Sequence, residues 1–369
     1  MKRIVAFVKK NTVMVVAFFA AVITMFMVPP DGEYLGYFDL KTLTCLFCVL
    51  AVVCALKNIN FFYILAAKIV TLFKNTRMCI LALVYITFIG SMIIANDMAL
   101  LTFLPLGYFV LDTTDMKKHM SFTFIMQNIA ANLGGMLTPF SNPQNLYLYT
   151  KFNIPNGEFI RIMLLPFLIA IAIITVCCLF IKKEPLRLPE ESVNVDKKRV
   201  ILYMILFALS ILIVFRGIPY WIGLIVIPAV LVFADRKALR DVDYPLLLTF
   251  VFFFVFSGNM ARVGIVRSAF EFLLSKNTLI VSILCCQLIS NVPSAILLSQ
   301  FTANYPSLLV GVNIGGVGTL IASLASLITY REYVKHNPGS SKYYIKRFLL
   351  YNLAFLVVLT FVMSIVLQG

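Results

Sequence analysis

The chain has 369 residues, of which 61% are hydrophobic and 13% are charged, and its formal net charge is +15 at pH 7. Soluble domains are about 45–50% apolar, so this composition excludes an ordinary soluble protein. The excess of Lys and Arg indicates the basic cytoplasmic loops of a membrane protein and not a nucleic-acid partner, because the basic residues lie between apolar runs.

Apolar runs long enough to cross a bilayer recur along the whole chain. A membrane-spanning helix needs about 20 such residues. The first run is long and is followed by no cleavage site of the A-x-A type, so we interpret it as a span and not as a signal peptide. The predicted spans are 12–29, 40–56, 121–152, 160–181, 200–215, 218–234, 244–257, 310–330 and 347–367.

Four further stretches do not follow the pattern of a simple span. Two of them, 61–75 and 262–275, mix apolar and charged residues and predict amphipathic helices at the membrane interface. The other two, 78–111 and 278–309, are apolar but contain polar residues near their middle. Each predicts a re-entrant hairpin of two helices that enters the membrane and returns. The polar residues at the two breaks are Asn96, Asp97, Ser290 and Asn291.

The charges of the loops support this layout. With the N-terminus in the cytoplasm and both hairpins re-entrant, most of the 31 Lys and Arg residues fall on the cytoplasmic side. The positive-inside rule requires this asymmetry. We therefore expect a protein integral to the cell membrane, with its C-terminus on the side opposite the cytoplasm.

The two halves of the chain resemble each other. "NLGGMLTPFSNPQN", 132–145, aligns without gaps on "NIGGVGTLIASLAS", 313–326, and "KNT" occurs at 74–76 and at 276–278. An odd number of crossings separates the copies, which predicts two inverted-topology repeats in an all-α polytopic membrane protein. The chain is thus divided into a first transmembrane repeat at 1–181, a cytoplasmic linker at 182–199, a connecting transmembrane helix at 200–217 and a second, inverted repeat at 218–369.

Each repeat also contains a span that is predicted to unwind. Gly134 and Gly135 precede Pro139 and Pro143, so 134–145 does not continue as a regular helix. The glycines at 315, 316 and 318 act in the same way in the second half. Free carbonyls beside Asn and Ser side chains suit a hard cation such as sodium. The alternative for each Gly-Gly pair is close packing of helices.

Asp97 is the only acidic residue at the centre of an apolar run. A charged side chain there costs about 3 kcal/mol or more, so it must bind a cation, line a wet cavity or carry a proton. We hypothesise that Asp97 and Asn96 bind a coupling ion, or that Asp97 carries a proton. The alternative, which is compatible with this role, is that the Asp97 carboxyl caps the helix at the hairpin turn. Val292 takes this position in the second half, so an ion site there would be neutral.

The motifs "ANDMALLTFLP", "ANLGGMLTPFSNPQNLYLY", "SNVPSAILL" and "NIGGVGTLIASLASLI" resemble, in this order, those of the ion transporter superfamily. That superfamily contains citrate and dicarboxylate symporters, arsenite efflux permeases and one type of sodium/proton antiporter. The match is best to its anion permease branch. The resemblance implies that two hairpin tips and two unwound helices meet in mid-membrane.

The resemblance also implies which residues form the sites. The ion-binding candidates are Asn96, Asp97, Gly134, Gly135, Asn142, Ser290, Asn291, Gly315, Gly316 and Thr319, and the substrate-binding candidates are Ser141, Asn142, Asn145, Ser323 and Ser326.

The expected function is secondary active transport of a small anion, a carboxylate or an oxyanion, coupled to sodium or protons by alternating access. An arsenite-type efflux permease or a sodium/proton antiporter is the alternative, and an ion channel is less favoured. An enzyme is not expected, because the apolar region has no His, no pair of acids and no metal-ligand cluster. No cofactor or metal beyond a sodium ion is implied. The expected partners are the small anion, the lipid bilayer and, as in relatives, a second copy of the chain.

Overall fold

The computed structural model describes residues 11–70, 72–185 and 196–368. These residues form helices joined by short turns, and no β-strand occurs among them. The helices are α1 (Thr12–Met27), α2 (Leu40–Asn58), α3 (Phe61–Val70), α4 (Thr76–Ile93), α5 (Asn96–Thr113), α6 (Met120–Gly134), α7 (Pro143–Lys151), α8 (Asn156–Leu179), α9 (Lys197–Val214), α10 (Tyr220–Ala234), α11 (Arg236–Arg240), α12 (Tyr244–Arg262), α13 (Gly264–Ile289), α14 (Asn291–Leu298), α15 (Tyr305–Ile314), α16 (Leu324–His336) and α17 (Ser341–Gln368).

The length and composition of these helices suit a bilayer. Large apolar side chains such as Phe26, Phe233 and Phe361 are exposed on the outside of the bundle, which is the surface that lipid covers. The prediction of an all-helical polytopic membrane protein is therefore confirmed. Six helices within the described ranges are long and apolar enough to cross a membrane: Leu40–Asn58, Thr76–Ile93, Asn156–Leu179, Arg236–Arg262, Gly264–Ile289 and Ser341–Leu367.

Two of the predicted spans are divided in the structure. The stretch 121–152 forms α6 and α7, and the chain between them contains a short 3₁₀ turn at Gly135–Leu137 followed by extended backbone at Thr138. The stretch 310–330 forms α15, which begins earlier at Tyr305, and α16. Both breaks lie where the glycines and prolines predict them, because neither residue type stabilises a helix interior.

The stretch 262–275, predicted as a separate amphipathic helix, forms a helical segment that a kink divides from the hairpin arm. It forms the first part of α13, which continues to Ile289 with a kink at Asn277, where φ is −163° and ψ is 95°. The Asn277 side chain accepts a hydrogen bond from the Ile280 N–H at 2.9 Å, as an N-cap does. The kink thus restarts the helix without a connecting loop. The second predicted hairpin is also shorter than 278–309, since α14 ends at Leu298.

Part of the predicted linker at 182–199 lies outside the described residues, namely 186–195, as do residues 1–10. The described end of the linker contains Asp196, which caps α9 by accepting hydrogen bonds from the N–H groups of Lys198 and Arg199. In both halves the remaining elements follow the same order. An amphipathic stretch precedes a broken pair of helices, a second broken pair and a long final helix.

The centre of the molecule is α6, which is buried along its whole length. It packs against α4, α5, α8, α16 and α17, so helices from both halves surround it. A helix buried on every face needs no polar face. The polar side chains that α6 does carry, Gln127, Asn128 and Asn132, are buried with it and must therefore find partners inside the protein.

At one end of the bundle an ion pair joins the first and second halves. Arg262, the last residue of α12, binds Asp31 after α1 with 2.6 Å between Nη2 and Oδ2. The hydrogen bonds from this guanidinium hold the pKa of the Asp31 carboxyl below its ordinary value. The pair therefore stays ionised at neutral pH and fixes the turn Gly32–Tyr37 against α12.

Gly134→Ala is expected to destabilise the fold. A Cβ at Gly134 would lie 2.3 Å from the carbonyl oxygen of Phe88 on α4, and a backbone atom cannot move aside as a side chain can. Overpacking of this kind costs about 1–3 kcal/mol, so the unfolding temperature in detergent should fall. Gly157→Ala in α8 is the matched control, since nothing lies within 4 Å of its added Cβ. Equal unfolding temperatures for the two variants would contradict this packing.

Candidate functional site

The tips of the two broken helix pairs have the same local structure. Between α4 and α5, the Asn96 Oδ1 accepts a hydrogen bond from the N–H of Asp97 at 2.9 Å. Between α13 and α14, the Asn291 Oδ1 accepts one from the N–H of Val292, also at 2.9 Å. The tight second tip places Ser290 at φ +76°, a conformation that costs energy for a residue other than glycine.

The tip asparagine, and not the Asp97 carboxyl, therefore accepts a hydrogen bond from a backbone N–H at the hairpin turn. The Oδ1 atom of Asp97 is buried and accepts no hydrogen bond from any part of the chain that the structure describes. The carboxyl lies in the first turn of α5, where the helix dipole favours a negative charge. Its remaining hydrogen-bonding capacity is thus free for a cation or a proton.

Both tips line one central cavity of about 130 Å³. Polar side chains in its lining come from four parts of the chain that are distant in sequence: Asn96, Asp97, Gln144, Ser290, Asn291 and Ser323. Residues from the ends of other helices complete the lining, among them Asp243, Thr249 and Arg331. Two acids and one base thus share a small cavity with amide and hydroxyl groups.

Asn132, at the end of α6, connects the first tip with the second half. Its Oδ1 accepts hydrogen bonds from the Asn96 Nδ2 at 3.3 Å and from the Ser323 hydroxyl at 2.8 Å. Its Nδ2 donates to the carbonyl of Asn128. The side chain therefore holds a hairpin tip of one half against the helix break of the other.

Asn313 makes the reciprocal connection from the second half. It matches Asn132 in the gap-free alignment and lies near the end of α15. Its Nδ2 donates to the Asn145 Oδ1 at 2.6 Å, and its Oδ1 accepts from the Gln144 Nε2 at 3.3 Å. Each of these two asparagines thus crosses to the break in the opposite half.

Side chains satisfy the carbonyls that the first break releases. The Asn145 Nδ2 is shared between the carbonyls of Gly135, Met136 and Thr138, each at 3.3 Å. The Ser141 hydroxyl donates to the carbonyl of Gly135. Ser141 and Asn145 therefore face the break, and neither lines the central cavity; their binding of substrate stays a prediction.

Asn142 is the exception in this break. It is fully buried, yet neither its Oδ1 nor its Nδ2 is hydrogen-bonded to a group within the described ranges. Its amide oxygen lies against Gly135, where an added Cβ would be 2.6 Å away. A buried amide without partners is costly, so this is the side chain in the first break that is best able to bind an ion.

The second break depends on Gln287, which sequence reasoning did not select. Its Nε2 donates to the carbonyl of Gly315 at 2.8 Å, and its Oε1 accepts from the Thr319 N–H at 2.9 Å. Gly316 lies against the Asn291 amide, 2.9 Å from where its Cβ would be. Ser326 lies near Asn128, with 3.4 Å between its Oγ and the amide nitrogen. Gly315 and Thr319 are thus engaged by Gln287.

The predicted site residues therefore fall into two groups. Those that line the central cavity are Asn96, Asp97, Ser290, Asn291 and Ser323. Those in or beside the two breaks are Gly134, Gly135, Ser141, Asn142, Asn145, Gly315, Gly316, Thr319 and Ser326. Their binding roles remain predictions.

Other lining residues could not be selected from sequence. Asp243 and Arg331 belong to the charged ends of helices, and only the tertiary packing places such ends over the cavity. Gln144 could have been selected from the sequence as a candidate site residue. It lies between the selected positions Asn142 and Asn145 and directly follows Pro143, the first residue of α7.

Comparison with known proteins identifies the family. A family model described as "Citrate transporter" matches residues 4–309. The chain belongs to the citrate transporter family. The resemblance to the ion transporter superfamily and the prediction of a membrane transport protein are thereby confirmed. An uncharacterized transporter of Methanocaldococcus jannaschii is 35% identical over 295 residues, 79% of this chain and 80% of that protein. The inner membrane protein YbiR of Escherichia coli is 28% identical over 285 residues, 74% of each chain.

A double-mutant cycle should detect the connection between the halves in this citrate transporter family member. Asn132→Ala and Ser323→Ala each remove one partner of a buried 2.8 Å hydrogen bond, so their effects on unfolding free energy should be coupled by about 0.5–1.5 kcal/mol. Asn132→Ala combined with Ser210→Ala is the control, since Ser210 bonds only within its own helix, to the carbonyl of Phe207. Additive effects in both cycles would show that the connection contributes nothing.

Proposed function

We propose that this protein is a secondary active transporter that moves a small anion, a carboxylate or an oxyanion, across the membrane. Sodium or protons drive the anion by alternating access through the central cavity. The observation that carries the proposal is that two hairpin tips from separate halves line one cavity together with the half-buried Asp97, whose Oδ1 is buried and has no partner in the described ranges. Membership of the citrate transporter family makes citrate the first substrate to test.

The ends of the two hairpins support re-entrant, inverted repeats. At the start of the first hairpin, the Thr76 N–H donates to the carbonyl of Glu184 at 2.9 Å. After its end, Lys118 binds the carboxylate of the same Glu184, also at 2.9 Å. Both ends of the α4–α5 hairpin therefore meet at one side, away from the tip.

The second hairpin has its ends on the other side. Asn277 and Thr278 at the start of its first arm share a small cavity with Asn304, which follows the second arm, and with Leu367 at the end of α17. The Tyr108 ring on α5 stacks on His336 at the end of α16, with 3.6 Å between ring centroids. Because α17 begins beside this end of α16 and Leu367 lies at its far end, we infer that this side is opposite to that of Glu184. Hairpins that enter from opposite sides and line one cavity with their tips are the arrangement expected of inverted repeats.

The central cavity lies toward the N-terminal side of the molecule. Its lining includes Asn11 before α1 and Asp243 before α12. The opposite ends of these two helices carry the Asp31–Arg262 pair. With the N-terminus in the cytoplasm, as the loop charges predict, this conformation presents the site to the cytoplasm.

The charges at the cavity provide a reason for coupling. Asp97 and Asp243 repel an anion, whereas Arg331 attracts it. A sodium ion or a proton on Asp97 would remove one of the repulsive charges, so that cation and anion bind more strongly together than separately. Oxygen atoms of Asp97, Asn96 and Asn142 are the kind of ligand that a hard cation prefers.

The free carboxyl also favours a second candidate function, a sodium/proton antiporter. In that case Asp97 alone would exchange the two cations, and no anion would be needed. A pH change inside liposomes after a sodium pulse, without any anionic substrate, would favour the antiporter over the symporter.

Asp97→Asn should abolish coupled transport. Purified protein in liposomes is supplied with labelled citrate under imposed sodium or proton gradients. Coupling free energies of typical size predict a loss of about 5- to 150-fold in gradient-driven uptake, because the amide keeps the shape but cannot take a charge or a proton. Asp115→Asn, at an exposed turn with φ +55°, is the control. Unchanged ion and pH dependence in Asp97→Asn would refute the coupling role.

Labelling of introduced cysteines should reveal the opposite entry of the hairpins. Asp115→Cys is placed after the first hairpin and Ala303→Cys after the second. Cys177 and Cys285 are replaced by alanine in both variants, because they are the less buried native thiols among the described residues. A membrane-impermeant maleimide should modify Ala303→Cys in intact cells and Asp115→Cys only after permeabilisation. Modification of both from one side would exclude inverted repeats.

A further inference from the structure

A second cavity, of about 330 Å³, lies at the far end of α7. We call it the outer vestibule and define it by Asp39, Tyr147, Thr150, Lys151, Gly258 and Gln300, which all line it. It reaches the surface, since Lys151 and the nearby Gly36 are exposed. None of these residues belongs to the central cavity.

Two short helices separate the outer vestibule from the central cavity. The helix α7 begins at Pro143 in the central cavity and ends at Lys151 in the vestibule, and α14 similarly leads from Asn291 toward Gln300. They have nine and eight residues. At 1.5 Å per residue, the barrier is about 12–14 Å thick.

Aromatic packing closes this barrier. The Tyr147 ring lies 5.6 Å from that of Phe254 on α12, centroid to centroid, and Phe254 in turn lies 6.0 Å from Phe250. The Tyr147 hydroxyl is hydrogen-bonded to the Ser299 hydroxyl at 3.0 Å. The vestibule therefore ends at Tyr147 in this conformation.

The wall opposite Lys151 is rigid. Arg262 donates a hydrogen bond to the Tyr37 hydroxyl at 3.0 Å while it also binds Asp31. Gly258 lets the Tyr37 ring approach α12, because an added Cβ would lie 2.6 Å from the ring. Tyr37, which lines the vestibule, is thereby held against α12.

Lys151 is the group of the vestibule that is available to an anion. It forms no salt bridge with any acid in the described ranges, and its ammonium lies 5.8 Å from the centroid of the Tyr147 ring. Asp39 also lines the vestibule and keeps its charge, but both of its oxygens are held by hydrogen bonds from Thr42, at 2.9 and 2.6 Å. The Thr150 hydroxyl and the Gln300 amide add hydrogen-bond donors beside Lys151.

We propose that the outer vestibule is a second anion-binding site, on the side opposite the central cavity, and that Lys151 binds carboxylate or phosphate groups of a small anion there. Its role as the outer station of a transport path rests on the proposed function. The binding of an anion at Lys151 is a separate claim and can be tested without transport.

A cysteine at the rim reports occupancy. Gly36→Cys is suitable, because nothing lies within 4 Å of an added Cβ. The variant is made in the protein whose Cys177 and Cys285 are replaced by alanine. The rate at which an impermeant maleimide modifies the introduced cysteine is measured at increasing concentrations of citrate or inorganic phosphate. At least one of the two anions should slow the reaction in a saturable way, and 0.5 M salt should weaken the effect by screening.

Lys151→Gln is the decisive variant. Loss of one partly exposed charge should raise about fivefold the anion concentration that halves the rate of maleimide modification. Lys151→Arg keeps the charge, so the anion should still slow the modification in that variant. Lys276→Gln, which removes a lysine over the Phe272 ring outside the vestibule, should behave as the parent. Unfolding temperatures confirm that each variant is folded. No protection by either anion, or equal protection in Lys151→Gln, would overturn the proposal.

Parallel uptake measurements separate this claim from the proposed function. Protection of Gly36→Cys without gradient-driven uptake would support the vestibule site and count against transport of citrate. Uptake that depends on Asp97, without protection of Gly36→Cys, would support the transporter and reject the vestibule site. In a working transporter, Lys151→Gln should raise the half-saturating concentration for uptake and leave the maximal rate unchanged.

Discussion

Unpaired backbone groups cannot remain in the hydrocarbon core of a bilayer, and the architecture of this protein follows from that constraint. Two helices are broken at depth, and their freed carbonyls must bond to something other than water. Asn145 serves three carbonyls of the first break, and Gln287 serves the second. Asn132 and Asn313 each add a hydrogen bond to a side chain of the opposite half, so the two breaks are also joined to each other.

This interdependence links the fold to the chemistry of the site. Asn132 bonds both to Asn96 at the first tip and to Ser323 in the second break, so movement of that tip alters the hydrogen bonding of a break. Many polar atoms at the centre are already paired. Within the described ranges, the buried atoms there that have no partner belong to Asp97, Gln127, Asn142 and Gln144. An ion bound there would add the missing bonds and so favour one arrangement of the tips.

The sequence predicted the fold class, the tips and the breaks because each has a local signal: long apolar runs, a polar pair within such a run, and Gly-Gly near Pro. The predicted end of the amphipathic stretch at 275 lies next to the kink at Asn277, but a kink and a loop have the same local signal, so the sequence did not show that no loop follows. It did not show that Ser141 and Asn145 face the break, or that Asp243 and Arg331 reach the central cavity. Those placements depend on how helices distant in sequence pack, and a single sequence contains no measure of that packing.

The thinness of the barrier formed by α7 and α14 has an electrical consequence. If water fills both the central cavity and the outer vestibule, the resting voltage of the cell falls almost entirely across those 12–14 Å (about eight or nine helical residues) and not across the full bilayer. The local field is then more than doubled relative to a bilayer core of about 30 Å. A charge that crosses from one side of Tyr147 to the other thereby experiences nearly the whole membrane potential, about 2.3 kcal/mol per 100 mV, over a very small displacement.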